Sequence, residues 1–301
     1  MKIICRILGG LGNQMFQYAA ARSVAEKFNA ELLIDDSIIR NPSPKNEGLN
    51  RPLALSIFNI DLKYSSSIQR FRHNSHGLPL PIRGMSRIIR LIYGSGVTTP
   101  KTFRYDASIL SAQRPPQYLC GLWQSPLYFQ RFESIIRNEF SFLRPLSKDL
   151  GPLINIIENP NTICLHVRRG DYISIKINAD TIGFVGINYY KKAIAYLQKK
   201  MNIKNVVIFS DDLEWCQSNF EWLEYDKVFT NYPLEDESLR MEIDLHLMTK
   251  GKNFIISNST YAWWGAWLSW NREKNIIAPM NWFKDPKLDS SDLCPSSWIR
   301  L

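Results

Sequence analysis

Two adjacent arginines lie directly after a short apolar run in the second half of the chain. Residues 162–165 are apolar and too few for a helix, so they predict a buried strand. The residues that follow, 166–172, are His-Val-Arg-Arg-Gly-Asp-Tyr. Ligands of open α/β sheets lie at the carboxyl ends of strands, and a guanidinium group holds a phosphate through two parallel hydrogen bonds. Arg168 and Arg169 therefore indicate an anion site, and a solvated loop with a surface Arg–Asp pair is the alternative.

A second polar cluster, Ser-Asn-Ser-Thr at 257–260, lies between a predicted strand at 254–256 and a predicted aromatic helix at 261–270. Hydroxyl groups and unpaired backbone N–H groups at a helix N-terminus bind anions. A helix cap needs only one such residue. Four in succession favour a pyrophosphate between this cluster and the two arginines, and a simple helix cap is the alternative.

The N-terminal segment is predicted to form a strand, a glycine-rich loop at 9–14, a helix and a second strand at 31–35. Glycines such as Gly10 allow a ligand to approach the helix N-terminus closely. The loop is not a dinucleotide fingerprint, because Met15 occupies the position of the third glycine. A glycine turn with Asn13 as the helix cap is the alternative explanation.

Strands and helices alternate through the second half of the chain. The predicted strands cover 162–165, 206–209, 254–256 and 275–278. One predicted helix begins at its cap, Asn188, and two others cover 237–250 and 261–270. This alternation predicts an α/β fold with a parallel, doubly wound sheet. The polar strand ends at 166–172, 210–212 and 257–260 are then expected along one edge of that sheet.

The chain has 301 residues, which is long enough for two domains. A linker at 145–152, with proline, glycine and charged residues, places these domains at 1–150 and 151–301, with packing of the tail back on the first domain left open. The net charge of +9 favours a nucleotide, an anionic membrane surface or nucleic acid as partner. Because no basic run is interleaved with aromatic residues, nucleic acid is not expected.

Residues 62–105 contain no acidic side chain, and the basic 70–90 segment overlaps a predicted amphipathic helix at 86–93. This helix either contacts anionic lipid headgroups as a peripheral membrane element or presents a solvated basic face. The five scattered cysteines form no C-x-x-C motif, which predicts no metal site and a reducing, cytoplasmic location. No apolar run reaches the length of a membrane span.

Asp244 lies in the predicted helix at 237–250 between two apolar neighbours. If it faces inward at the helix edge, its carboxylate can accept hydrogen bonds from both N1–H and the 2-amino group of a guanine. An acid on the solvated face of the helix is the alternative.

Three stretches together resemble the bacterial α-1,2-fucosyltransferases of glycosyltransferase family 11. They are 9–19 (GGLGNQMFQYA), 166–172 (HVRRGDY) and 254–268 (FIISNSTYAWWGAWL), and 209–212 (FSDD) fits the same family. The resemblance implies a GT-B architecture, in which two Rossmann-like domains face each other across a cleft. It also implies GDP-β-L-fucose as the donor, inversion at the anomeric carbon, and no metal or other cofactor.

The residue types and the resemblance together predict the site. The predicted donor-binding residues are Gly10, His166, Arg168, Asp244, Asn258, Ser259 and Thr260, and the predicted catalytic residues are Asn13, Arg168 and Asp171. The resemblance places Arg168, Ser259 and Thr260 at the donor phosphates. It places Asp244 at the guanine, His166 near the nucleotide, and Asn13 facing the donor from the first domain.

A general base is not inherited from the related enzymes. Lys176 stands where the core α-1,6-fucosyltransferases place a carboxylate after the arginine motif. Asp36, Asp171 and Asp180 are the candidates that remain. Alternatively, the transition state is loose and oxocarbenium-like, and no strong base is needed.

The predicted function is transfer of L-fucose from GDP-β-L-fucose to the 2-hydroxyl of a terminal β-galactoside. The acceptor is expected to be a galactose-terminated oligosaccharide or a lipid-linked glycan, as in O-antigen or surface polysaccharide biosynthesis, and residues 36–130 are expected to select it. Two alternatives are a transferase for another GDP-sugar or acceptor hydroxyl, and a catalytically silent protein that binds glycan or nucleotide.

Overall fold

The computed structural model describes residues 1–42, 51–73, 80–93, 96–271 and 273–301. The chain packs into two units. Unit 1 contains Met1–Leu143 and Ser291–Leu293, and unit 2 contains Arg144–Ser290 and Cys294–Leu301. The chain passes between the units at 143/144. The predicted linker at 145–152 lies within unit 2, where it forms a short 3-10 turn, Lys148–Leu150, that leads directly into the first helix of that unit.

Unit 1 is built around a four-stranded sheet whose strands are all parallel. The strands are β1 (Lys2–Arg6), β2 (Glu31–Asp35), β3 (Val97–Thr98) and β4 (Tyr118–Leu119), in the order β2-β1-β4-β3. The helices are α1 (Leu11–Lys27), α2 (Ser37–Arg40), α3 (Ser67–Arg70), α4 (Leu80–Tyr93), α5 (Ala107–Ser111) and α6 (Glu133–Glu139). Helix α1 is buried on almost all sides, which its small residues Ala19, Ala20 and Ala21 permit.

Unit 2 is built around a six-stranded sheet that is also entirely parallel. The strands are β5 (Thr162–Val167), β6 (Asn205–Ser210), β7 (Asp226–Phe229), β8 (Asn253–Ile255), β9 (Asn275–Ala278) and β10 (Ile299–Arg300). The helices are α7 (Gly151–Glu158), α8 (Gly170–Ser174), α9 (Lys176–Thr181), α10 (Ile187–Gln198), α11 (Leu213–Asn219), α12 (Arg240–Met248) and α13 (Thr260–Leu268).

The strand order in unit 2 is β10-β9-β8-β5-β6-β7. The chain therefore runs outward from β5 through β6 to β7, and then returns to the other side of β5 with β8. Such an order has a switch point between β5 and β8, and the crevice beyond the carboxyl ends of those two strands is where ligands of doubly wound sheets lie.

The centre of unit 2 is apolar on both faces of its sheet. All six residues of β5 are buried, which explains why this segment shows no alternation of polar and apolar residues. Tyr190, Ile194 and Leu197 of α10 pack into the core cluster that β5 helps to form. On α13, the buried Trp263 lies edge-on to Trp264 with ring centroids 4.9 Å apart. Burial of these large rings sets the position of the α13 N-terminus beside β5.

The prediction of a parallel α/β fold is confirmed, and β2 and β9 have the predicted bounds. Two predicted helix starts are wrong. Helix α10 begins at Ile187 after Gly186, whose φ of 78° suits a glycine, so Asn188 lies inside the first turn and is not the cap. Helix α12 begins at Arg240, because the residues before it form a 3-10 turn, Glu237–Leu239.

The amphipathic helix predicted at 86–93 is longer than expected, since α4 covers Leu80–Tyr93. Part of the basic 70–90 segment, residues 74–79, lies outside the described residues. No helix in the described ranges is both long and apolar enough to cross a membrane.

Candidate functional site

The two polar clusters predicted from the sequence meet at the switch point of unit 2. β5 and β8 are neighbours, with Leu165 opposite Ile255, so the residues after both strands leave the sheet side by side. The Nδ1 atom of His166 and the Oγ atom of Ser257 lie 2.9 Å apart and share a hydrogen bond. The structure therefore brings 166–172 and 257–260 together, as the sequence predicted.

His166 is buried, with 4% of its surface exposed. Burial, and after it the charge of Arg168, lowers the pKa of His166 to about 3. The imidazole is therefore neutral at physiological pH, and it can hold Ser257 in place without carrying a charge. Its ring centroid lies 5.9 Å from that of Tyr261, which places it under the first turn of α13.

Arg168 is held by two carboxylates. Its Nη2 atom lies 2.7 Å from Asp171 Oδ1, and its Nη1 atom lies 3.3 Å from Asp211 Oδ2. Its guanidinium carbon lies 5.6 Å from the centre of the Tyr172 ring. About a third of the side chain, 30%, remains exposed, so the guanidinium is fixed in orientation and still accessible to an anion.

Arg169 turns away from its neighbour. Its Nη1 atom lies 2.5 Å from Asp212 Oδ2, and its guanidinium lies 4.8 Å from the centre of the Trp215 ring. Both arginines contact Asp211, but Arg169 does so through its backbone N–H, which donates to Asp211 Oδ1 at 2.9 Å. The two arginines therefore do not form one clamp: Arg168 faces the switch point, and Arg169 fastens the loop to α11.

The residues of the cluster 257–260 have different roles: Asn258 holds neighbouring loops, while Ser259 and Thr260 begin a helix at a candidate anion site. Asn258 is 2% exposed, and its Nδ2 atom donates to the carbonyl oxygens of Gly183 at 2.9 Å and Trp282 at 3.1 Å. The Asn258 amide nitrogen therefore anchors two loops, while its buried Oδ1 atom has no hydrogen-bond partner among the described residues, so a donor-binding role for Asn258 stays a prediction. Ser259 is the N-cap of α13 but makes no side-chain capping bond, and Thr260 is the first helical residue.

Helix α13 offers backbone donors at this point. The first N–H groups of a helix have no partner within it and carry a partial positive charge. In α13 they follow Ser259, and Ser257 shortly before them is bonded to the neutral His166. Tyr172 connects this point to Arg168, because its ring lies beside the Arg168 guanidinium and its hydroxyl donates to the Asn258 carbonyl oxygen at 3.1 Å. These donors and the Arg168 guanidinium are the groups that a phosphate needs.

Asp244 faces inward, which is one of the two orientations that the sequence left open. It is 8% exposed, and its Oδ1 atom accepts a hydrogen bond of 2.7 Å from the hydroxyl of Tyr232. Burial raises the pKa of Asp244 to about 7, against the opposing effects of Tyr232 and Arg240. A carboxylate of this kind gains from a ligand that donates hydrogen bonds to it.

Tyr261 links the predicted guanine and phosphate positions, and the sequence analysis did not single it out. Its hydroxyl donates to the carbonyl oxygen of Met241 at 2.7 Å, while its ring lies against His166. Asp211, Trp215 and Tyr232 were also not assigned roles. The signal for Asp211 was its position at a polar strand end, whereas nothing in the spacing of the three aromatic residues distinguished them from core residues.

The glycine-rich loop belongs to unit 1. Gly9 has a φ of 78°, and Gly10 is the N-cap of α1 without any side-chain bond. Asn13 is thus the third residue of α1 and not its cap, and its Oδ1 atom accepts a hydrogen bond of 2.8 Å from Gln124 Nε2. The Gln14 side chain stabilises the loop backbone, because its Nε2 atom donates to the Gly9 carbonyl oxygen at 2.8 Å.

The three candidate bases have different surroundings. Asp171 is paired with Arg168, and Asp36 Oδ1 lies 2.5 Å from the Arg40 guanidinium. Asp180 is exposed on α9.

The five cysteines are free thiols, and among the residues that the structure describes, no three His, Cys, Asp or Glu side chains form a group that could hold a metal ion.

Comparison with known proteins adds three relatives. Residues 105–301 match the family described as Glycosyl transferase family 11. The chain is 31% identical over 310 residues to the alpha-1,2-colitosyltransferase of Escherichia coli, covering 99% of this chain and 98% of that protein. It is 34% identical over 316 residues to the O-antigen biosynthesis glycosyltransferase WbnK of Escherichia coli, with coverages of 97% and 98%. It is 26% identical over 159 residues to galactoside alpha-(1,2)-fucosyltransferase 1 of Lagothrix lagotricha, covering 50% of this chain and 42% of that protein.

Proposed function

The chain belongs to glycosyl transferase family 11, and we propose that it transfers L-fucose from GDP-β-L-fucose to the 2-hydroxyl of a terminal β-galactoside in a glycan. One observation carries the proposal. Arg168 is braced by Asp171 and Asp211 after β5, and the Tyr172 ring beside it is bonded through its hydroxyl to Asn258, directly before the N-cap of α13. These groups suit the diphosphate of a nucleotide sugar.

The leaving group explains why such a site accelerates transfer. As the bond from the sugar to GDP breaks, negative charge develops on the β-phosphate. Donors that are already in position when this charge develops lower the barrier, because they need no rearrangement. Arg168 meets this condition through its two carboxylate partners, and the N–H groups of α13 meet it because the helix is packed into the core.

Selection of guanine is assigned to Asp244. Guanine presents N1–H and the 2-amino group on one edge, and a single carboxylate accepts from both. Adenine and uracil do not present such a pair of donors. The buried position of Asp244 gives these bonds weight, because an unpaired buried polar group is costly.

The sugar is transferred with inversion in this proposal, and the acceptor hydroxyl attacks the face opposite to GDP. The transition state is oxocarbenium-like, as in glycoside chemistry. Asp171 is engaged by Arg168, so it acts in our scheme as a positioning residue and not as the base. A late proton transfer then removes the need for a strong general base.

No metal ion is required in this mechanism, since arginine and a helix N-terminus offset the diphosphate charge. Transfer by protein dialysed against EDTA tests this point. We expect an unchanged rate, with a Mn²⁺-dependent glycosyltransferase treated in parallel as the control. A rate that falls to background in EDTA and returns with Mg²⁺ or Mn²⁺ would contradict it.

A colitosyl donor is the second candidate, because the relative named alpha-1,2-colitosyltransferase matches nearly the whole chain. Colitose is L-fucose without its 3-hydroxyl, so the two donors differ by one hydrogen-bonding group. The test is incubation with GDP-fucose, GDP-colitose and GDP-mannose, each with a panel of β-galactosides and other terminal sugars. Linkage analysis of the product by NMR identifies the hydroxyl that was modified.

We expect a 2-O-fucosyl galactoside from GDP-fucose and slower transfer from the other donors. If a product forms only with GDP-colitose, the donor is GDP-colitose and not GDP-fucose. Calorimetric binding of GDP without any product from any donor would favour a silent nucleotide-binding protein instead.

A peripheral contact with an anionic membrane is the last part of the proposal. On α4, Met85 and Ile88 are 59% and 58% exposed although they are apolar, and Arg87 is exposed as well. The segment 62–105 has no acidic residue to repel anionic lipids. Apolar residues next to basic ones on an exposed helix suit the headgroup region of a bilayer, where a lipid-linked acceptor is found.

Flotation with phosphatidylglycerol-containing vesicles tests the membrane contact. We expect the protein to float with these vesicles, and the double substitution Met85→Ser/Ile88→Ser to reduce the bound fraction severalfold. Ile177→Ser is the matched control, because Ile177 is 65% exposed on α9 of unit 2. Equal flotation of all three proteins, or none with any vesicle, would contradict the contact.

A further inference from the structure

Tyr172 joins the two sides of the switch point in unit 2. It lies on α8, which follows β5, and its hydroxyl donates to the carbonyl oxygen of Asn258 at 3.1 Å. Asn258 follows β8 and directly precedes Ser259, the N-cap of α13. Because β5 and β8 are neighbouring strands, this bond connects the arginine loop to the start of α13 at the edge where doubly wound sheets bind their ligands.

The Tyr172 ring also contacts Arg168. The guanidinium carbon lies 5.6 Å from the ring centre, within the distance at which an aromatic ring attracts a cation. Asp171 and Asp211, which hold the same guanidinium, follow β5 and β6. The two carboxylates therefore fix the guanidinium relative to those strands, whereas Tyr172 relates it to the α13 side of the switch point.

The hydroxyl of Tyr172 is attached to a fixed point. Asn258 is 2% exposed, and its Nδ2 atom donates to the carbonyl oxygens of Gly183 and Trp282. Burial, against the charge of Arg168, raises the pKa of Tyr172 above its usual value of about 10, so the hydroxyl keeps its proton and remains a donor. A shift of the Tyr172 ring would therefore break a bond to a residue that does not move with it.

We infer that Tyr172 is a positioning residue: it holds the Arg168 guanidinium at a fixed place relative to the start of α13, so that one diphosphate contacts both. This inference rests on the proposed function, which assigns the donor diphosphate to these groups. The Arg168 side chain is 30% exposed and therefore accessible to an anion. Developing charge is stabilised by donors that are already in place, so a guanidinium that drifts away from the helix loses part of its effect. The alternative is that Tyr172 only stabilises the fold of unit 2.

Single-turnover transfer at saturating donor measures this effect. Tyr172→Phe keeps the ring beside Arg168 and removes the hydroxyl, so it breaks the bond to Asn258. We expect the rate to fall about 3–10-fold, which corresponds to one hydrogen bond. Tyr172→Leu also removes the aromatic ring, and we expect a larger loss.

Tyr189→Phe is the matched control. The Tyr189 hydroxyl donates to the carbonyl oxygens of Ile256 at 2.7 Å and Ile277 at 3.1 Å. It is thus bonded to the backbone two residues before Asn258, but its ring packs edge-on to Tyr190 with centroids 5.1 Å apart. We expect this variant to have a lower melting temperature and an unchanged transfer rate.

A double-mutant cycle distinguishes positioning from general structural support. In the Arg168→Ala background, Tyr172→Phe should have no further effect on the rate, because the guanidinium that it positions is absent. A structural role would lower the rate by the same factor in both backgrounds. Calorimetric titration with GDP repeats the cycle without turnover, so it applies whichever sugar the wild type transfers.

The outcomes separate the inference from the proposed function. Equal factors in the wild-type and Arg168→Ala backgrounds would make Tyr172 a structural residue and overturn the inference. A wild-type rate and GDP affinity in Tyr172→Phe would do the same, and either result would leave the proposed role of Arg168 intact. A wild-type rate and GDP affinity in Arg168→Ala would instead contradict the proposed function. Tyr172→Phe removes one hydroxyl from a partly exposed residue, so we expect it to fold, and thermal unfolding checks each variant.

Discussion

Arg168 and Arg169 are adjacent in the chain, yet their guanidinium groups belong to separate ion pairs. Arg168 is held between Asp171 and Asp211, while Arg169 is held by Asp212 over the Trp215 ring. The loop thus contributes one guanidinium to the switch point and uses the other to attach itself to α11.

The first prediction follows from this divergence. Arg168→Ala should reduce kcat by about 10²–10³-fold, the usual loss for one donor that stabilises developing charge. Arg169→Ala is the matched control and should lose much less, because its guanidinium contacts Asp212 and Trp215. Single-turnover transfer at saturating donor measures both. Equal losses in the two folded variants would contradict the separation of roles.

The second prediction concerns Gly170. A Cβ atom at this position would lie 2.6 Å from Asp211 Oδ2, so Gly170→Ala must displace the carboxylate that braces Arg168. We expect a destabilisation of about 1–3 kcal/mol, measured by urea unfolding, together with a lower kcat. Gly151→Ala is the control, because a Cβ there meets open space. A Gly170→Ala protein with unchanged stability and rate would show that Asp211 has room to shift.

The third prediction concerns the pH dependence of GDP binding. Burial raises the pKa of Asp244 to about 7, and guanine needs the ionised carboxylate as acceptor. The affinity for GDP should therefore fall by roughly tenfold per unit as the pH drops below 7, and should level off above it. Calorimetric titration between about pH 5.5 and 8.5 measures this dependence.

The same titrations on Asp244→Asn should show a weaker affinity at pH 8, by about 5–150-fold, because an unpaired buried polar group remains. They should also lack the pH dependence. Glu242→Gln provides the control, since Glu242 is a buried acid on the same helix. If Asp244→Asn binds GDP like the wild type at every pH, guanine is recognised elsewhere, for which the strand end at 210–212 is the next candidate.

The fourth prediction concerns acid stability. The pKa of His166 is lowered to about 3 in the folded chain, whereas an unfolded histidine titrates near its ordinary value of about 6.5. Between these values the unfolded state binds a proton that the folded state does not. The stabilisation is therefore complete above about pH 6.5 and is lost as the pH falls toward 3.

Unfolding free energies of His166→Asn test this point. The wild type should lose up to about 1.4 kcal/mol per pH unit more than the variant between about pH 6 and 4. Ser257→Ala removes the hydrogen-bond partner but leaves the histidine buried, so it should keep the wild-type slope. Parallel pH profiles for the wild type and His166→Asn would mean that the imidazole is protonated in the folded protein.

The local patterns of the sequence determined much of this protein. Continuous apolar runs identified β5, β6 and β9, because buried strands of a parallel sheet are apolar on both faces. The polar residues after β5, β6 and β8 indicated where a ligand site lies. The spacing of Asp244 left open whether it faces inward or lies on the solvated side of its helix, because adjacent residues of a helix do not share a face.

The tertiary structure decided which atoms of these clusters are available. Asn258 has the same local pattern as Ser259, yet its amide nitrogen is bonded to loops that approach from 183 and 282. Arg168 and Arg169 diverge because their partners Asp211 and Asp212 follow a neighbouring strand, β6, that lies about forty residues further along the chain. Contacts between residues distant in sequence leave no periodic signal, so Gln124 as the partner of Asn13 was visible only once β1 and β4 were side by side.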